Sequence, residues 1–134
     1  PMDLLVIETA LMKLGTPYVA GTLEQDPEML TVCMDKTDCI LFVEMCLAFS
    51  LTLKEENPGF DSYCDNLREL RYRNGIVGDY SSRIHYTSEW IRQAADRGIM
   101  EEITAEIGGI VWPQEFSFMS THTDSYRQLR EKPS

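Results

Sequence analysis

The sequence lacks several features, and each absence removes a class of function. No apolar run approaches the roughly 20 residues that a membrane-spanning helix needs. Basic residues are few, 12 Lys and Arg against 22 Asp and Glu for a formal charge of −10. That balance argues against nucleic acid as a partner, because phosphate binding draws on clustered Lys and Arg, and it gives no attraction to an anionic membrane surface. The four cysteines, Cys33, Cys39, Cys46 and Cys64, contain no Cys-x-x-Cys pair, which leaves a structural zinc site unsupported. A disulfide among Cys33, Cys46 and Cys64 stays open. No glycine-rich phosphate loop occurs, and no metal or organic cofactor is expected. The chain begins at Pro1 without a basic stretch followed by an apolar one, so any export signal is expected to lie outside it.

What is present fits one ordinary soluble domain: 134 residues, 43% hydrophobic and 25% charged. Leu4, Leu5, Ile7, Leu11, Met12 and Leu14 recur near helical spacing and predict an amphipathic helix over Asp3–Leu14, ended by Gly15 and Pro17. An acidic loop follows, with a short strand expected at Leu30–Val32. Ile40–Leu51 is apolar nearly all round, which predicts a central helix buried on most sides and capped by Thr37 or Asp38. Asn57-Pro58-Gly59 breaks the chain. A helix over Phe60–Tyr72 places Tyr63, Leu67 and Leu70 on one face. An extended piece is expected at Arg83–Tyr86, a helix over Thr87–Arg97 capped by Ser88 and closed by Gly98, a turn of helix within Ile103–Gly109, a β-prone stretch over Ile110–Met119, and a polar helix over Thr123–Arg130. Three short strand candidates complete neither a helical bundle nor a sheet.

Cys39 is the sharpest chemical candidate. It stands at the start of the central helix, where free backbone N–H groups and the helix dipole favour a thiolate; a plain core cysteine is the competing reading. Cys46, two turns further on, reads as core. A cysteine hydrolase also needs a base, and the chain offers His85 and His122, neither in a context that aims it at Cys39. Arg83, His85, Tyr86 and Trp90 concentrate polar and aromatic groups that suit a sugar or a carboxylate, and equally suit ordinary packing. Carboxylate pairs for glycoside hydrolysis are too easily drawn from 22 acidic residues to signal anything.

Two segments together resemble a known family. Leu14-Gly15-Thr16-Pro17-Tyr18-Val19-Ala20-Gly21, followed by Thr37-Asp38-Cys39-Ile40-Leu41-Phe42-Val43-Glu44, is similar to the signature of the NlpC/P60 cysteine peptidases, which cut bacterial peptidoglycan. Leu70-Arg71-Tyr72-Arg73-Asn74-Gly75, Ser82-Arg83-Ile84-His85-Tyr86 with Trp90, Gly98-Ile99 with Ile103-Thr104, and Phe118-Met119-Ser120 with Tyr126 and Leu129 resemble the branch catalogued as domain of unknown function 1460, found in Bacteroides-like bacteria and similar to N-acetylmuramoyl-L-alanine amidases.

The resemblance implies an α+β, papain-like NlpC/P60 fold, represented here mainly by its helical N-terminal portion with few short strands. Residues 1–52 would form the nucleophile-helix region and 53–134 a family-specific helical region. It implies that Cys39 is the nucleophile, that Tyr18 lies near the oxyanion, and that Arg83, His85, Tyr86 and Trp90 line the substrate cleft. The implied reaction is cleavage of the N-acetylmuramoyl–L-alanine amide of muropeptides, in the periplasm or at the cell surface. The family's catalytic His, in a stretch resembling Asp-x-x-His-Val-Gly, has no counterpart before Ser134, so this chain alone is expected to be inactive and prone to self-association. A stem-peptide endopeptidase, a non-catalytic muropeptide-binding fragment and a xylanase-like glycosidase are the alternatives.

Overall fold

The computed structural model describes residues 1–131. The chain divides into two compact units, Pro1–Trp90 and Ile91–Ser134. The first contains α1 (Met2–Met12), α2 (Cys39–Thr52), α3 (Phe60–Arg71) and the start of α4 (Thr87–Asp96). The remainder of α4, α5 (Phe118–Thr121) and α6 (Arg127–Glu131) belong to the second.

In the first unit α2 packs against both α1 and α3, as an element apolar on most sides should. Leu41, Met45, Cys46 and Ala48 of α2 are buried, and they meet a core to which α3 contributes Tyr63, Leu67 and Leu70. That α3 face is the one its spacing predicts. Polar side chains stitch the two helices at one end, where the Asn66 amide donates to Thr52 Oγ1 (3.1 Å) and to Glu55 Oε1 (2.6 Å). The Cys46 thiol, as a core residue, is pushed up by burial. All four cysteines are free, so no disulfide links Cys33, Cys46 and Cys64.

α1 departs from its expected amphipathic character. Leu4, Ile7, Leu11, Met12 and the following Leu14 are exposed, while Thr9 is buried with its hydroxyl donating to Leu5 O (2.8 Å). Apolar residues fall on more than one side of this helix, so packing against α2 on one side leaves several of them uncovered. The expected strand at Leu30–Val32 is irregular loop, because Thr31 O is taken by the Arg71 side chain (2.6 Å) rather than by a neighbouring strand. The extended piece at Arg83 is present and forms an isolated antiparallel bridge with Tyr72. Together with a parallel bridge between Tyr18 and Thr37, it is the only β pairing among the described residues, so the described chain is mostly helical with almost no strand, in keeping with the mainly helical portion expected.

In the second unit α4 closes as expected at Gly98, whose positive φ of 68° suits a left-handed cap. The Ile99 N–H then returns to Ala94 O (2.9 Å). α4 itself begins at Thr87, which puts Ser88 inside the first turn rather than at the cap. Residues 104–108 make hydrogen-bonded turns instead of helix, and 110–117 form no strand. Pro113 has no N–H to give a ladder, and no described segment pairs with this stretch. The expected terminal helix is split into a 3-10 turn, Thr123–Ser125, and α6.

Candidate active site

Asp38 sets the start of α2. Its carboxylate accepts from the Leu41 N–H (2.9 Å) and its carbonyl from the Phe42 N–H (3.0 Å), a standard N-cap. Cys39 is therefore the first helical residue, and its side chain is exposed. With Leu41 N–H engaged by Asp38, the N–H groups of Cys39 and Ile40 are the ones left facing outward at this end.

The loop between α1 and α2 doubles back so that its two ends pair. Val19 N–H donates to Thr37 O (2.8 Å) and Thr37 N–H to Pro17 O (3.0 Å). Tyr18, largely exposed, is thereby fixed next to the Thr37-Asp38-Cys39 segment. Two motifs about twenty residues apart in sequence are neighbours through these two hydrogen bonds.

The middle of the same loop is held by Arg83 and Tyr72. Arg83 bonds Glu24 (Nη2 to Oε1, 3.0 Å) and Glu28 (Nε to Oε1, 3.2 Å), and its guanidinium lies 5.1 Å over the Tyr80 ring. The Tyr72 hydroxyl donates to Glu28 Oε1 (2.7 Å) and Met29 O (3.1 Å), and burial together with the Glu28 carboxylate pushes its pKa up. Arg71 bonds Glu44 of α2 at 2.8 Å. Burial pushes the Glu44 carboxyl up against the opposing pull of Arg71.

Of the four residues expected to line a cleft, Arg83 and Trp90 are buried, while His85 and Tyr86 are half-buried. Arg83 is committed to the two loop carboxylates. The His85 ring lies against Tyr80, with centroids 4.3 Å apart, and its Nε2 is 2.8 Å from Tyr80 O. Burial lowers its pKa, so the ring is neutral near pH 7 and Nε2 is the donor to that carbonyl. The buried Trp90 Nε1 has no hydrogen-bond partner. His85 is thus built into the wall formed with Tyr80, and among the described residues the Cys39 thiol receives no hydrogen bond from it. His122 lies in the second unit, stacked on Phe118 at 4.1 Å.

Arg73 braces the neighbouring residues Ser81 and Glu89. Its guanidinium bonds Glu89 (Nη2 to Oε2, 2.8 Å) and also reaches Ser81 O. Sequence reasoning missed Glu24, Glu28, Glu44, Tyr72 and Glu89. Glu44 carried a signal, since a lone carboxylate in an otherwise apolar helix implies a buried partner. Glu24 and Glu28 carried none, because an acidic loop reads as solvated.

Among the described residues no group of three or more His, Cys, Asp or Glu is arranged to hold a metal ion, and no helix is long and apolar enough to cross a membrane. A family model described as AmiA-like, N-acetylmuramoyl-L-alanine amidase-like, matches residues 9–134. A structure of an N-acetylmuramoyl-L-alanine amidase from Bacteroides uniformis ATCC 8492 is 34% identical, with a TM-score of 0.90, over 99% of this chain and 56% of that one. A protein provisionally described as a xylanase from Bacteroides fragilis is 38% identical, with a TM-score of 0.86, over 95% of this chain and 56% of that one. The chain spans a little over half the length of these structures. No curated protein matches it.

Proposed function

The chain belongs to the AmiA-like, N-acetylmuramoyl-L-alanine amidase-like family, and from that premise we propose that Cys39 is the nucleophile of a peptidoglycan amidase of the NlpC/P60 kind, in the branch of domain of unknown function 1460. The observation that carries the reading is the pairing of Tyr18 with Thr37, which ties an exposed tyrosine to the backbone two residues before an exposed thiol at the start of a buried helix. A thiol there has the helix dipole behind it and unpartnered backbone N–H groups around it.

In this reading the Cys39 sulfur attacks the lactyl carbonyl carbon of the N-acetylmuramoyl–L-alanine amide. The N–H groups of Cys39 and Ile40 receive the oxyanion, with Tyr18 beside them. The C–N bond breaks as the L-alanine nitrogen takes a proton, leaving a thioester that water hydrolyses. The base is a histidine drawn from the part of the relatives' length that this chain does not span, since His85 is occupied with Tyr80. Tyr86 and the exposed edge of His85 face the glycan or the stem peptide; Arg83 and Trp90 shape that wall from within. The substrate class places the activity in the periplasm or at the cell surface.

The name given to the Bacteroides fragilis relative keeps glycoside hydrolysis as the second reading. Here Glu28 is buried against Arg83 and Tyr72, a placement for a structural carboxylate rather than for one that meets a glycosidic oxygen. Product analysis separates the readings. The whole gene product, given a defined disaccharide-peptide, should release a peptide with a free L-alanine amine and leave the glycan intact, and iodoacetamide should stop it. Release of a different stem-peptide amine would mean an endopeptidase, and glycan cleavage insensitive to iodoacetamide would mean a glycosidase.

A further inference from the structure

We infer that Glu28 is a positioning residue for the Cys39 site, acting through the loop between α1 and α2; what it positions rests on the amidase reading above. The bridge that joins Tyr18 to Thr37 consists of two hydrogen bonds and belongs to no sheet. Its register is consequently set by whatever holds the residues between its ends. Those residues are held at their centre. Glu28, its side chain only 3% exposed, accepts from both Arg83 and Tyr72, and the same Tyr72 hydroxyl reaches the adjoining Met29 carbonyl.

Arg83 and Tyr72 are themselves locked together. They form the antiparallel bridge, and Ile84 N–H donates to Arg71 O (2.9 Å). Three stretches, the loop, the end of α3 and the segment leading to His85, therefore meet on one carboxylate, which lies 44 and 55 positions before its two partners. Glu24, the other partner of Arg83, is 42% exposed and cannot replace a buried anchor. Arg71 holds Thr31 O but also joins α3 to α2 through Glu44, so its loss would disturb the whole core. Glu28 is the buried side chain of the loop that meets both Arg83 and Tyr72, and it lies outside the reacting atoms.

The consequence is a separation between loop order and global stability. In Glu28→Ala, native-state exchange of the Val19 and Thr37 amides should quicken about tenfold or more beyond any acceleration shared with the Met45 and Leu67 amides. Glu28→Gln, which keeps an oxygen for the Tyr72 hydroxyl, should restore much of that protection. In the whole gene product kcat on a muramyl amide should fall about tenfold with KM within about twofold, the pattern of a lost transition-state alignment. Unchanged exchange at Val19 and Thr37, or a uniform acceleration of all four amides in both variants, would overturn the inference. So would a raised KM with kcat intact. A gene product without amidase activity would defeat the amidase reading instead, and the exchange measurement would still decide the role of Glu28.

Discussion

Arg71 and Glu44 face each other at 2.8 Å inside the first unit, with side chains 2% and 3% exposed. Removing one partner leaves the other charged and buried, which typically costs about 3–5 kcal/mol, whereas removing both for apolar groups of similar volume is often nearly neutral. Arg71→Met should therefore destabilise by that amount in urea titration, and Glu44→Leu/Arg71→Met should recover most of it. A double variant no more stable than the single would show that the Arg71 contact with Thr31 O, and not the ion pair, dominates.

Tyr72→Phe keeps the ring and deletes a hydroxyl that serves both Glu28 and Met29 O. Leaving these part-buried acceptors short of a donor should cost about 1–3 kcal/mol. Chemical denaturation measures the loss, and a change near zero would mean that water replaces the phenol.

Asp38→Ala removes the carboxylate from Leu41 N–H. Loss of such a cap costs about 1 kcal/mol. Because Cys39 is the next residue, the first-turn amides of α2 should also lose exchange protection, with α3 unaffected. Equal loss in both helices would contradict a local cap.

Arg73 beside Glu89 holds that carboxyl below its ordinary value of 4.5. The unfolded chain then binds the proton more readily, so this stability is complete above pH 4.5 and disappears as the pH falls through the lower, folded value. Glu44 has the opposite sign, its raised carboxyl favouring the fold at low pH. Thermal melts of Glu89→Gln and its parent should thus differ most at neutral pH and converge on acidification. Parallel melting curves across pH 2–7 would mean that the pair adds nothing.

The main helices were legible because burial imposes a period that the sequence must carry. Tyr63, Leu67 and Leu70 announce the inner face of α3, and Thr37-Asp38 announces the start of α2, with the structure selecting Asp38 as the cap. The position of Cys39 as the first residue of α2 was equally readable. What escaped was long-range and polar. Arg83 reads as a substrate ligand until its guanidinium is seen between Glu24 and Glu28, residues 59 and 55 positions earlier in the chain. The β-prone residues of Ile110–Met119 misled for a related reason, since a strand exists only with a partner and none is formed among the described residues.

The central claim is that Cys39 is the nucleophile of a muramyl amide hydrolase, and mass spectrometry of one substrate tests it. The whole gene product and its Cys39→Ala variant are incubated with N-acetylmuramoyl-L-alanyl-D-isoglutamine. Cys39 predicts conversion to N-acetylmuramic acid and the free dipeptide, with a loss of about 10³-fold or more in the variant and an unchanged circular dichroism spectrum. Cleavage at the parental rate by Cys39→Ala would contradict it.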